Sequence, residues 1–257
     1  MKKINLKTSK KAVFFDMGGT LENVYYDNKI RFKASKTILS VLKQNNLDPG
    51  LSTKDFYQLL ISKLQKYNLE KLTTNKEIRA ADFWNKYIFK DYDISVVAVN
   101  RIAELLTFFL ETLFFQRTMR EEVPYVLEKI KQKGLKVGCI SNIMGIMQVP
   151  HCLHSYGILE YFDTIVLSCL YGLRKPDPRI FHYAAKKAGV EPAQCIYVGD
   201  TISRDIIGSK NAGFGISVLI PSFLTKKNDS LVKNEKIKPD IIIQNLKELL
   251  NILQDVV

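Results

Sequence analysis

From residue 120 onward, short apolar runs alternate with helical patterns, and this alternation limits the chain more than any other feature. The runs lie at residues 136–140, 164–168, 195–198, 215–220 and 240–243, with an earlier one, AVFF, at residues 12–15. Unbroken apolar runs of this length are the mark of strands buried on both faces. Helical patterns at 121–133, 178–188 and 204–212 separate them and are stopped by Gly134, Gly189 and Gly213. The expected fold class is therefore α/β, a doubly wound parallel sheet with helices on both faces.

Residues 24–118 break the rhythm, because they carry helical periodicity and no convincing strand. Ser52 with Asp55, and Thr74 with Glu77, have the spacing of helix starts, and residues 47–50 (LDPG) form a turn. Ile102, Leu105, Leu106, Phe109 and Leu113 recur at helical spacing and predict one apolar helix face. The aromatic group Phe83, Trp84, Tyr87 and Phe89 reads as core between helices rather than as a stacking surface. The expected organisation is a Rossmann-like core of residues 1–22 and 119–257, interrupted by an α-helical domain of residues 23–118.

Composition excludes several classes. With 46% apolar and 25% charged residues, the chain of 257 residues is neither disordered nor fibrous. Its most apolar stretch, 105–115, is too short for a membrane span and is broken by Thr107, Glu111 and Thr112. The basic N-terminus is followed by too short an apolar run for a signal peptide. Four cysteines without CxxC spacing fit reduced thiols, so a cytoplasmic location is expected. The net charge of +12 comes from a lysine-rich start and a diffuse excess, with no dense stripe of the kind that grips nucleic acid. The lysine-rich stretch 226–238 reads as a surface connection.

In an open α/β sheet, ligands bind beyond the carboxyl ends of the strands. Asp16 follows the first run, Ser141 the second and Asp200 the fourth, while Lys175 lies in the loop after the third. Phosphoryl transfer is chemistry these four side chains can share. A carboxylate such as Asp16 can attack phosphorus and divide a hard hydrolysis into two easier steps. Gly18 and Gly19 leave the next turn free to aim N–H groups at phosphate oxygens. Asp200 with Asp16 can hold Mg²⁺, while Lys175 supplies positive charge and Ser141 a hydroxyl donor.

The segments FFDMGGTL (14–21), ISN (140–142), GLRKPDPRIF (172–181) and VGDTISRD (198–205) resemble, in order, the four motifs of the haloacid dehalogenase-like hydrolases. The resemblance implies Asp16 as nucleophile and Ser141, Asn142 and Lys175 at the phosphate site. It implies Mg²⁺ held by Asp16, the Gly18 carbonyl and Asp200, supported by Asp205. It also implies that the inserted helices are a substrate-selecting cap, and that the substrate is a small phosphorylated metabolite.

One position departs from the pattern. Phosphatases of the family read D-x-D-x-T, with the second Asp as general acid and base, whereas this chain has Gly18 there. Glu22, six residues after the nucleophile, is the candidate substitute. The family's dehalogenases and phosphonate-cleaving enzymes also lack that Asp, so both stand as alternatives beside a non-catalytic phospho-ligand-binding module. Dehalogenation of this type gives no reason for acids at 200 and 205, and phosphonate cleavage requires a Schiff-base lysine in the cap. His151, Cys152 and His154 lie close enough together to suggest Zn²⁺ but lack an evident fourth ligand, and His182 reads as packing.

Overall fold

The computed structural model describes residues 9–225, 229 and 237–254. Most of the basic N-terminal tail and most of the stretch 226–238 lie outside the described residues. Six strands form one parallel sheet: β1 (Ala12–Phe15), β4 (Lys136–Ser141), β5 (Thr164–Leu167), β6 (Cys195–Gly199), β7 (Ile216–Leu219) and β8 (Ile241–Ile242). Their order is β5-β4-β1-β6-β7-β8. The chain thus winds outward from β1 in both directions, and β1 is the point where a doubly wound sheet opens a crevice.

Both faces of the sheet are covered, as the apolar runs required. Val13 and Phe15 join one buried cluster with Val126, Ile130 and Leu249, whereas Ala12 and Phe14 join another with Ile180, Phe181 and Phe214. Helices α5 (Val123–Gln132) and α8 (Pro178–Lys187) supply these opposite layers. The expected helix at 204–212 begins instead as a wide helical turn, Ile202–Ile206, and becomes regular only over α9 (Ile207–Asn211).

The stretch read as strand-free contains strand at both ends. β2 (Glu22–Tyr25) pairs antiparallel with β3 (Gln116–Met119), and this ribbon joins the sheet to the helices. Neither ENVY nor QRTM is an apolar run, and the partners are far apart in sequence, so no local pattern announces them.

Between these strands lie α1 (Asn28–Gln44), α2 (Thr53–Thr74), α3 (Ala80–Phe83) continued by a wide turn over Trp84–Ile88, and α4 (Val96–Leu113). Asp27, Ser52 and Ser95 cap α1, α2 and α4 by accepting from N–H groups in the first turns. Thr74, expected to start a helix, ends α2. Asn75 turns left-handed immediately after it, and Glu77 is drawn into a buried network described below. The helices share their own buried cluster, which includes Phe56, Phe83, Trp84 and Leu106. Trp84 donates to Thr107 Oγ1 at 2.8 Å, so the polar end of the buried indole is satisfied. The buried face of α4 is Val99, Ala103, Leu106 and Leu110, whereas Leu105 and Leu113 are exposed. The observed face is thus rotated from the expected one: Thr107 turns inward to accept from Trp84, while Ile102 and Phe109 are only partly buried against the cluster.

Candidate active site

Asp16 leaves β1 with its N–H bonded to Val198 O on β6 at 2.9 Å, which seats it beside the end of that strand. Lys175 lies under it. Its ammonium donates to Asp16 Oδ1 at 2.6 Å, Asp205 Oδ1 at 2.7 Å and Tyr197 OH at 2.8 Å, so all three N–H bonds are used in a side chain that is 2% exposed. Burial works against the Lys175 charge, but the two carboxylates outweigh it and hold the ammonium above its ordinary value. Burial pushes Asp16 upward and Asp205 adds to this, while Lys175 pulls the other way.

Asn142 contributes differently from expectation. Its amide donates to Lys175 O at 3.0 Å and accepts from Lys175 N at 2.8 Å, so it clamps the lysine main chain while also lining the cavity. Ser141 ends β4 and lines the same cavity as Asp16 and Lys175. Asp205 accepts from Lys175 and Tyr197 with one oxygen and from Thr201 N and Oγ1 with the other. Lys175 and Arg204 outweigh its burial and hold it below the usual carboxylate range.

Asp16, Asp200 and Asp205 can bring one carboxylate oxygen each within 4.8 Å of the others. A metal needs oxygens that protein donors have not already taken. Asp205 has none to spare and serves as the anchor of Lys175. Asp200 Oδ1 is buried with no hydrogen-bond partner among the described residues, and its nearest cation, Arg204 Nη2, is 3.9 Å away. Burial, then Asp16 and Asp205, push the Asp200 carboxyl up to about 7. An orphaned anionic oxygen beside a second carboxylate is the donor set of a hard divalent cation, so the residues fit Mg²⁺.

The two turn glycines differ. Gly19 has φ +93°, and a Cβ there would collide with the Asp200 carboxylate, so this position admits no side chain. Its N–H is spent on Glu22 O at 2.9 Å, which removes it from the expected phosphate contacts. Gly18 lines the cavity, lacks a positive φ, and has room for a Cβ.

Glu22 is not placed to replace a general acid. It is fully buried, its oxygens accept from Arg117 Nη1 at 2.6 Å and Tyr156 OH at 3.0 Å, and it is not among the residues lining the cavity. Breaking such a pair from one side costs on the order of 3–5 kcal/mol, so Glu22 holds the β2–β3 ribbon to the core. His151 and His154 are exposed on α6 (Gln148–Ser155), with His151 edge-on to Phe108, and Cys152 is buried against Gln148. No metal cluster forms there among the described residues. His182 bonds the Ala212 carbonyl, as a packing residue does.

The cavity above Asp16 measures about 310 Å³, and the helices supply groups that no motif revealed. Lys71 on α2 lines it, and burial, reinforced by Arg174, pulls its ammonium down to about 7. Arg174 is neutralised by Glu77 at 2.9 Å, which also accepts from Ser168 and Tyr67. Glu111 on α4 accepts from Met144 N at 2.8 Å, tying the helices to the loop after β4.

Burial pushes the Glu111 carboxyl from 4.5 to about 8, against the pull of the Met144 and Gly145 N–H groups. The folded chain therefore keeps a proton that the unfolded chain releases above pH 4.5, and stability falls as pH rises from there to about 8. Glu111→Gln is expected to flatten the profile of Tm against pH across that window. Parallel profiles would mean that the carboxyl is ionised throughout.

The family model described as "Hydrolase: haloacid dehalogenase-like hydrolase" matches residues 10–213. A glyceraldehyde 3-phosphate phosphatase of Methanopyrus kandleri is 27% identical over 95% of this chain and 97% of its own length. A HAD phosphatase structure from Thermococcus onnurineus superposes with a TM-score of 0.60 at 24% identity, covering 96% of this chain and 100% of its own. A 2-haloacid dehalogenase structure from Pseudomonas syringae reaches a TM-score of 0.65 at 21% identity over 95% of this chain and 98% of its own. With the family model matched from the first strand through α9, and the motif residues gathered at the carboxyl ends of β1, β4 and β6, the chain belongs to the haloacid dehalogenase-like hydrolases.

Proposed function

We propose that this protein is a Mg²⁺-dependent phosphatase that acts on a small phosphorylated metabolite through an aspartyl-phosphate on Asp16. The observation that carries the reading is one crevice holding three things: a carboxylate at a strand end, a buried lysine bonded to it at 2.6 Å, and an adjacent carboxylate oxygen that no described protein group satisfies. Asp16 attacks phosphorus, and the bond to the leaving oxygen breaks. Lys175 places fixed positive charge beside the equatorial oxygens, and Ser141 offers a hydroxyl. Asn142 and Asp205 keep Lys175 in place from its main chain and its ammonium. Bound by Asp16, Asp200 and the Gly18 carbonyl, Mg²⁺ would offset repulsion between an anionic nucleophile and an anionic substrate.

Residues 23–118 act, in this reading, as a cap whose α2 and α4 close the cavity over Asp16. A volume of about 310 Å³ is at the small end for ligand sites, and relatives named glyceraldehyde 3-phosphate phosphatase support a substrate of that size. Four free, buried cysteines accord with a reducing cytoplasm. Among the described residues, no helix is long and apolar enough to cross a membrane.

A second reading rests on Lys71, whose lowered pKa would leave an amine able to form a Schiff base with a carbonyl-bearing phosphonate. One panel separates the two. Phosphate esters including glyceraldehyde 3-phosphate and p-nitrophenyl phosphate, a carbonyl phosphonate and a 2-halo acid are assayed with Mg²⁺ and again with EDTA. Mg²⁺-dependent release of phosphate from the esters is expected. Halide release that survives EDTA, or inactivation by borohydride only in the presence of the phosphonate, would overturn the reading.

A further inference from the structure

The side chain missing at residue 18 and the position of Arg117 coincide. A Cβ on Gly18 would lie 3.4 Å from Arg117 Nη1 and 3.6 Å from Val24 Cγ2, so the guanidinium stands where a longer side chain at residue 18 would begin. Arg117 projects from β3, opposite Val24 in the ribbon register. It is held from three sides: Nη1 donates to Glu22 at 2.6 Å, Nε donates to Glu111 O at 3.1 Å, and the cation lies 5.1 Å from the centre of the Phe115 ring. Nη2 has no partner among the described residues, and Arg117 lines the cavity that Asp16, Ser141 and Lys175 also line. Fixed placement with donors to spare is what a preorganised electrostatic catalyst requires.

A guanidinium keeps its protons at any accessible pH, so Arg117 does not do the work of a general acid. It holds permanent charge beside an oxygen that gathers electrons. We propose that Arg117 is a catalytic residue that binds the leaving-group oxygen, at a site that, with no acid at residue 18, favours phosphates whose leaving group departs as a stabilised anion: acyl, enol, anomeric or aryl phosphates. The proposal rests on the phosphatase reading. An Asp16 oxygen bonds phosphorus, and the bond from phosphorus to the leaving oxygen breaks with its electron pair going to that oxygen. The oxyanion departs hydrogen-bonded to Arg117 and takes its proton from water. Water then attacks the phosphorus of the aspartyl-phosphate, the bond from phosphorus to the Asp16 oxygen breaks with its electron pair returning to the carboxylate, and the proton that the water gives up neutralises the hydroxide left by the first step, so this second step no longer contains the leaving group.

The test measures Asp16 phosphorylation and aspartyl-phosphate hydrolysis separately, by rapid quench with Mg²⁺, over aryl and alkyl phosphates of graded leaving-group pKa. Glu22→Gln combined with Arg117→Gln removes both members of the buried ion pair, so neither is left as an unpaired charge. Arg117→Lys keeps the charge but loses the planar fork. The double variant is expected to lose on the order of 10²- to 10³-fold in phosphorylation with the poorest leaving groups and less than about tenfold with the best. Its plot of log rate against leaving-group pKa is steeper, hydrolysis of the intermediate stays near the wild-type rate, and Arg117→Lys falls between. A loss that is uniform over the series, or that falls equally on both half-reactions, would overturn the proposal. If wild-type protein forms no phospho-Asp16 with any substrate, the phosphatase reading fails instead.

Discussion

Asp16→Asn is expected to abolish turnover and leave the fold intact. The substitution keeps the shape of the side chain, and the amide oxygen still accepts from Lys175, whose charge remains paired with Asp205. It removes the electron-rich oxygen that must bond phosphorus. Loss of a covalent nucleophile costs on the order of 10⁴-fold or more in kcat, and two other carboxylates nearby are already engaged. Asp205 is saturated by protein donors, and Glu22 is locked behind Arg117 and Tyr156. Without a divalent cation, thermal unfolding of the variant should occur at or above the wild-type temperature, because one of three crowded carboxylates has become neutral. Turnover of p-nitrophenyl phosphate within tenfold of wild type would remove Asp16 from the mechanism.

Asp200→Asn separates stability from function. In the absence of metal it should raise Tm, since it neutralises a fully buried carboxylate whose Oδ1 has no hydrogen-bond partner among the described residues. It should also erase the upward Tm shift that Mg²⁺ gives the wild type, and weaken Mn²⁺ binding followed by electron paramagnetic resonance. A metal that contributes about 4 kcal/mol to the transition state takes roughly 10³-fold of rate with it when lost. Asp205→Asn is the informative contrast. It loosens Lys175 and Thr201, so activity falls while Mn²⁺ affinity changes far less. If Asp205→Asn weakened the cation as much as Asp200→Asn does, the assignment of Asp205 as an anchor would be wrong.

Asp16, Ser141, Lys175 and Asp200 were legible as residues because each follows or ends a short apolar run, and a parallel sheet has only one edge at which such positions can meet. Their division of labour was not. Asp205 reads in sequence as another acid of a metal motif, yet four donors claim its oxygens. Asn142 reads as a phosphate-site residue, yet both ends of its amide hold the Lys175 main chain. Hydrogen-bond saturation depends on which groups arrive from elsewhere, and no spacing rule carries that information.

The sequence by itself determined the α/β layering and placed Asp16 at the end of the first strand, because both follow from periodicity over a few residues and from turn chemistry at strand ends. The tertiary structure alone decided the place of the first strand at the centre of the sheet and what surrounds Asp16. Arg117 meets Glu22 across 95 positions, and Arg174 meets Glu77 across 97. Lys71 and Glu111 join the cavity only because α2 and α4 fold back over the sheet. A charged side chain on a helix is ordinarily solvated, and only burial against groups distant in the chain shifts its pKa or fixes its donors. That is why the empty place at Gly18 was visible in the sequence, and the guanidinium that stands beside it was not.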